Sequence, residues 1–208
     1  MELVLVRHAL PVRRELAEGV ADPPLAPDGF RQAEHLAQYL SSETVDAAYV
    51  SPLQRARQTA APLEEVHGLT AVVEPDVAEF DRISSEYVPA EELKAANDPR
   101  WQAMLAGEWD GDEPRHEFEQ RVVDAVERIV TEHRGQRVAI VCHGGVINAY
   151  LSHVLGISND LGGFFYPNYT SIHRVAAASS GERSIVTINE TSHLRGTGLP
   201  MGMVQGAG

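Results

Sequence analysis

MELVLVRHALP (residues 1–11) and QRVAIVCHGGVI (residues 136–147) share one plan: a short run of mostly branched apolar residues that stops on a histidine. Such runs read as buried strands, and a strand ending in His sets an imidazole at the rim of a sheet. The chain around them alternates strand with helix. Glu2 to Val6 reads as the first strand and Leu10 to Leu25, charged and carrying a Pro-Pro pair, as a loop. Pro27 and the following DGFRQAEHLAQYL open a helix with Ala33, Leu36, Ala37 and Leu40 on one face. Asp46 to Val50 is a second strand. Ser51 is expected to cap the next helix, which has Pro52 at its first position and runs through QRARQTAAPLEEV. Thr70 to Glu74 is a third strand, Glu117 to His133 a strongly periodic helix, and Gln136 to Cys142 the second long strand. GGVINAYLSHVLG follows as a helix, and Thr170 to Ala176 with Ser184 to Asn189 form a closing pair at a sheet edge.

This alternation predicts an α/β fold: a three-layer sandwich with a mostly parallel central sheet, one antiparallel edge strand, and helices on both faces. Residues 1–194 are expected to form a single domain with a cap insertion around 76–111. Residues 195–208, small and flexible in composition, are expected to form a loose tail. The 208 residues are 43% apolar, enough for a real core. Seventeen basic against thirty acidic residues give a formal charge of −13, which repels nucleic acids and anionic bilayers at long range. An anionic ligand should therefore be small and held in a local basic pocket. The single cysteine, Cys142, excludes an internal disulfide and fits a reducing compartment. With no secretory signal or spanning segment, the expected location is cytoplasmic.

In sheets of this kind ligands bind beyond the carboxyl ends of the strands, and Arg7, His8, Ser51 and His143 all stand just past predicted strand ends. A neutral imidazole is a competent nucleophile near neutral pH, and the Arg7 guanidinium suits a phosphoryl oxygen. Arg55 lies near a helix N-terminus, where backbone N–H groups also favour an anion; Arg57 points elsewhere. Taken singly, each of these residues reads as an ordinary surface or strand-end side chain. Gly144, opening a helix after His143, lets backbone approach an oxyanion closely. Arg7, Arg55 and a protonated His143 would together surround one phosphoryl group, an assembly suited to phosphoryl transfer without metal or other cofactor. Cys142, inside an apolar run, reads as an inert buried thiol.

Five segments in this order resemble the histidine phosphatase superfamily, also called the phosphoglycerate mutase-like family: LVRH, LAPDGFRQAEHLAQYL, SPLQRARQTA, VCHGGVI and PNYTSIHRV. They span roughly residues 1 to 190. The resemblance implies a phosphatase acting on a small phosphorylated substrate through a phosphohistidine, with His8 attacking phosphorus and Arg7, His8, Arg55, His143 and Gly144 around the phosphate. The family's usual acid is a glutamate after the third strand, which makes Glu79 the candidate here, with Asp81 two residues on. Glycine after His143, where other members carry aspartate, also favours Glu79. Three features depart from the family pattern. Ala9 replaces a glycine and brings a methyl towards the phosphate; the pair of polar contacts that commonly follows R-H-G is absent; and so is the G-x-W-E-G pattern.

Glu113 is a candidate for lining the site. His35, His67, His116, His133 and His153 read as surface or capping residues, His173 and His193 as candidates for its rim, and Trp101 and Trp109 as packing or a substrate floor. Two other readings stand beside the phosphatase: phosphoglycerate mutase chemistry, and a non-catalytic phospholigand-binding protein. A zinc site built on His8 and His143 lacks a ligand set. A homodimer is compatible with the family but has no signature in the chain.

Overall fold

The computed structural model describes residues 1–108, 111, 113–157 and 164–202. In chain order its elements are β1 (Glu2–Arg7), β2 (Arg14–Glu15), α1 (Pro27–Leu40), β3 (Ala47–Val50), α2 (Gln54–His67), β4 (Val72–Val73), β5 (Glu86–Tyr87), α3 (Ala90–Ala95), α4 (Pro99–Leu105), α5 (Arg115–Glu132), β6 (Arg137–Cys142), α6 (Gly144–Leu155), β7 (Ile172–Ala177) and β8 (Arg183–Glu190). Six strands form the central sheet in the order β4-β3-β6-β1-β7-β8. Its left side is parallel throughout; β7 runs antiparallel to β1, and β8 to β7. Among the described residues no helix is long and apolar enough to cross a membrane.

The apolar run of β1 is continuous because both faces of the strand are covered. Leu3 and Leu5 pack with Phe118, Val122, Val126 and Ile129 of α5 and Ile147 and Leu151 of α6. Val4 and Val6 face the other way, against Leu36 and Leu40 of α1 and Ala56, Ala60 and Leu63 of α2. All four β1 side chains have no exposed surface, and each is worth roughly 1.5–3 kcal/mol of apolar burial. A one-residue slip would exchange the two faces, so the register is strongly held: Arg7 stands opposite Cys142, and Val50 opposite Val141. His8, Ser51 and His143 therefore leave three neighbouring strands at one level.

Some elements differ from expectation. The helix after Ser51 starts at Gln54 with Leu53 as its cap residue; Ser51 Oγ accepts the Leu53 N–H at 3.3 Å and lies 2.7 Å from His143 Nε2. The third strand is only Val72–Val73. The loop after β1 contains β2, which pairs with β5 and ties this loop to the segment carrying α3 and α4. The end of the chain is not loose as far as Gly202. Leu199 is buried, the Tyr169 N–H donates to the Met201 carbonyl at 3.0 Å, and Gln32 Nε2 donates to the Pro200 carbonyl. Residues 203–208 of the expected tail lie outside the described residues, as does Trp109.

The loop leaving His8 is clamped to α1. The Leu10 N–H donates to Gln32 Oε1 at 2.8 Å, and its carbonyl accepts from the Ala26 N–H at 2.9 Å. Only glycine fits beneath it at position 29, where a Cβ would lie 2.1 Å from the Leu10 carbonyl oxygen. In an open helix Gly→Ala stabilises by about 1 kcal/mol; here the sign reverses, and Gly29→Ala is expected to destabilise by about 1–3 kcal/mol through overpacking. Urea unfolding checks this, with the exposed Val186→Ala as a control expected to stay within about 0.5 kcal/mol.

Candidate active site

The register places the two strand-end imidazoles together: the His8 and His143 ring centroids are 5.2 Å apart. His8 is oriented by its Nδ1, 2.8 Å from the Ala9 carbonyl oxygen. A carbonyl only accepts, so Nδ1 carries the proton and Nε2 the lone pair. Burial, then the charges of Arg55 and Arg7, hold the His8 pKa well below its ordinary value. The ring is therefore neutral at physiological pH. Ala9 is itself fixed, its N–H donating to Thr59 Oγ1 at 2.9 Å while the Thr59 hydroxyl donates to the Arg55 carbonyl at 2.7 Å. The Ala9 methyl packs with Leu25 and Ala33 in a small apolar cluster, so the expected crowding of the phosphate by this departure from glycine is absent.

Two arginines flank the rings. Arg55, in the first turn of α2, is 1% exposed; its Nη2 donates to Asp81 Oδ1 at 3.1 Å, and its Cζ lies 4.6 Å from the Tyr87 ring centroid. Arg7, the last residue of β1, donates through Nη1 to the Pro167 carbonyl at 2.6 Å and lies 4.3 Å from the Tyr169 ring centroid. Aromatic faces help hold a desolvated guanidinium without neutralising it. Three buried nitrogens at this end, Arg7 Nε, Arg55 Nε and His143 Nδ1, have no hydrogen-bond partner among the described residues. Unmade bonds of this kind cost about 1–3 kcal/mol each, and an oxyanion would satisfy them.

His143 is fully buried with its Nε2 2.7 Å from Ser51 Oγ. Burial and the neighbouring Arg55, His8 and Arg7 push its pKa well below the usual value, so the expected protonated imidazole is neutral in the unliganded site. Burial of the ring beside two guanidiniums outweighs the attraction that only a bound anion would supply.

Glu79 stands across the cavity. Its carboxylate accepts from the Gly145 N–H at 2.8 Å and the Phe80 N–H at 3.2 Å. Burial first, then the Asp81 carboxylate, raise its pKa to about 7, against the lowering effect of Gly145, Arg55 and Phe80. Its approach is set by Arg121 of α5, whose Nη1 donates to the carbonyls of Asp76 and Ala78. Glu113 does not line the cavity; it pairs with Arg121 at 2.5–3.0 Å and so helps anchor the Glu79 segment.

Arg7, His8, Arg55, Glu79 and Gly144 line one cavity of about 300 Å³, while His143 is fully buried behind its wall, its ring beside that of His8. Cys142 is buried with its pKa pushed up, chiefly by that burial. His173 and His193 do not reach the cavity. They bond Ser171 and Thr170 beneath it, at 3.0 and 2.9 Å. Trp101 stands under Lys94 away from the cavity wall, while its helix neighbours Arg100 and Met104 line it. Among the described residues no group of three or more His, Cys, Asp or Glu is placed to hold a metal ion.

Several contributors escape a reading of residue types. Thr59 and Gln32 sit inside the quoted motifs, where their polarity on an apolar helix face was the available signal. Asn148 bonds the Phe165 N–H and carbonyl, both at 2.8 Å, and so holds the loop that carries Pro167 to Arg7. Tyr87 and Tyr169 come from segments with no periodic pattern, and nothing in the sequence marks them as seats for arginine.

A sheet whose switch point brings two imidazoles, two guanidiniums and a buried carboxyl to one end of a single cavity defines a phosphoryl-handling α/β enzyme. The chain belongs to the histidine phosphatase superfamily, branch 1, whose family model matches residues 3–191, and by that kinship it is a phosphomonoester hydrolase. It is 32% identical to Phosphoserine phosphatase 1 of Hydrogenobacter thermophilus, over 93% of this chain and 94% of that one. It is 31% identical to the metal-independent phosphoserine phosphatase of Arabidopsis thaliana, over 71% and 66% of the two chains. The fold is similar to that of Bacillus stearothermophilus YhfR, with a TM-score of 0.75 and 23% identity over 93% of this chain and 98% of that one. It is also similar to phosphoserine phosphatase from Entamoeba histolytica in complex with 3-phosphoglyceric acid, with a TM-score of 0.73 and 21% identity over 93% and 98%.

The two glycines after His143 have different tasks. A Cβ at Gly145 would lie 2.3 Å from Glu79 Oε1, whereas one at Gly144 would meet only Arg7 Nε, at 3.8 Å. Gly145→Ala is therefore expected to displace the Glu79 carboxyl and lower kcat by roughly 100-fold, in the range of a lost general acid. Gly144→Ala, which keeps its N–H, should retain activity within about fivefold. Steady-state phosphate release by the two purified variants checks the contrast.

Proposed function

We propose that the chain hydrolyses a small phosphomonoester through a phosphohistidine on His8. The observation that carries this reading is the pairing of a neutral His8, its Nε2 lone pair set by the Nδ1 contact to the Ala9 carbonyl, with a Glu79 carboxyl whose pKa lies near 7. Nucleophile and acid are thus both in their working protonation states near neutrality. The relatives named for phosphoserine support a small phosphomonoester as the substrate class.

In the first step the Nε2 lone pair attacks phosphorus and the bond to the leaving oxygen breaks. The proton on Glu79 passes to that oxygen, so the alcohol leaves neutral. Water then attacks the phosphohistidine, its proton returns to the Glu79 carboxylate, and the P–N bond breaks to restore the Nε2 lone pair. Arg7 and Arg55 hold the phosphoryl oxygens, and their unpartnered Nε groups supply donors where charge gathers. Ser51 Oγ already accepts from the Leu53 N–H at 3.3 Å. When the Ser51 hydroxyl donates to His143 Nε2, 2.7 Å away, Nδ1 carries the ring proton and is a further donor for the phosphoryl group.

His8→Ala is expected to lower phosphate release by roughly 10³-fold or more, while a chelator leaves the wild-type rate unchanged. Rapid acid-free quenching should find an acid-labile, alkali-stable phosphoryl group on His8; full activity in the variant would overturn the reading. Because Glu79 must be protonated to act, kcat/KM is expected to fall as pH rises through about 7. Asp81→Asn removes the charge that helps raise Glu79, so the alkaline limb should move to lower pH, as measured in a pH–rate profile.

A further inference from the structure

The cavity has two ends of opposite character. Its inner end carries Arg7, His8 and Arg55; its outer walls are Phe80, Val88, Leu93, Met104, Phe165 and Tyr166. The one further basic residue on the lining is Arg100, at the start of α4. Its charge is already paired with two carboxylates, through three of the five N–H groups. Nε and Nη2 hold the two Asp98 oxygens at 2.9 and 2.8 Å, and Nη1 holds Glu86 Oε2 at 2.9 Å. Asp98 cannot follow a substrate, because the same carboxylate caps α4 by accepting the Arg100 N–H at 2.9 Å. Arg82, next to Asp81 in the chain, is paired with Glu113 at 3.7 Å. The residues outside the description contain no Lys, Arg or His, so none of them adds a cation. Glu79, Asp81 and Glu86 add carboxylates to the same lining.

Resting on the phosphohistidine reading above, we infer that the substrate is a phosphate monoester of a small, uncharged, largely apolar alcohol. Phosphoserine and phosphoglycerate, which carry a carboxylate on the alcohol half, are disfavoured. Their carboxylate would enter a cavity in which Arg7 and Arg55 are committed to the phosphoryl group and Arg100 already faces two carboxylates, so its desolvation is poorly offset. An alkyl or aryl group instead covers the aromatic and aliphatic wall. The volume, at the low end for ligand pockets, keeps that group small. Arg100 is thus a specificity-determining residue whose charge is held by Asp98 and Glu86.

The test compares propyl phosphate, phosphoserine and 3-phosphoglycerate. Wild-type kcat/KM is expected to be at least tenfold higher for propyl phosphate than for either carboxylated ester, even though the more electron-poor alcohols are the better leaving groups. Asp98→Asn keeps an N-cap residue for α4 while removing one of the two carboxylates paired with the Arg100 guanidinium. It should raise kcat/KM for phosphoserine by fivefold or more and leave propyl phosphate unchanged. Calorimetric Kd values for His8→Ala protein should follow the same order without any turnover. A wild-type preference for phosphoserine or 3-phosphoglycerate, or tighter binding of them by the His8→Ala protein, overturns the inference. So does an Asp98→Asn protein with no gain on phosphoserine. Turnover retained in His8→Ala would instead overturn the phosphohistidine reading and leave the affinity order to decide this one.

Discussion

Parallel pairing of β1 with β6, Arg7 opposite Cys142, is the constraint on which the site depends. Neither histidine reaches for the other; each is the residue that follows a strand, and the pairing sets the two rings side by side. The register is secured by burial on two sides at once. Leu3 and Leu5 belong to the α5/α6 core, Val4 and Val6 to the α1/α2 core, and a slip would exchange both sets. A hydrophobic pattern thereby fixes the position of polar atoms that contribute nothing to it. Ser51 arrives by the same means, because β3 pairs with β6 up to Val50 opposite Val141.

Burial then sets the protonation states. The same loss of solvent lowers the pKa of His8 and His143 and raises that of Glu79, since in each case the charged form is disfavoured. The result is a neutral imidazole at His8 and a Glu79 carboxyl that titrates near neutral pH, both on the lining of one cavity. Arg7 and Arg55 keep their charge under the same burial because each lies over a tyrosine ring and Arg55 also has Asp81. In a chain of net charge −13 positive potential is concentrated where two guanidiniums are shielded from the surface carboxylates.

A frame of side chains that touch no substrate holds this arrangement. Gln32 and Thr59 fix the turn after His8, Arg121 with Glu113 fixes the approach to Glu79, and Asn148 fixes the loop that delivers Pro167 to Arg7. The final described residues join it through the Tyr169 to Met201 bond. Each partner comes from a different helix or loop, so the recess is shaped by both layers of the sandwich.

The sheet, its flanking helices and the positions of His8, Arg7, Arg55 and His143 at strand and helix ends were legible because they follow from local periodicity. An apolar run covered on both faces, or a stripe recurring every third or fourth residue, needs no distant partner to be recognised. What the sequence left open was decided by contacts between segments far apart in the chain. Ser51 bonds His143 as well as the Leu53 N–H before the helix, Glu113 turned to Arg121 rather than the cavity, Tyr87 and Tyr169 came beneath the arginines, and Leu199 was buried instead of trailing in solvent. Charge state was likewise beyond the sequence: His143 is neutral here because two guanidiniums and the core surround it. Periodicity records which side of an element is buried, whereas hydrogen-bond partners and pKa depend on what the rest of the fold brings within a few ångströms.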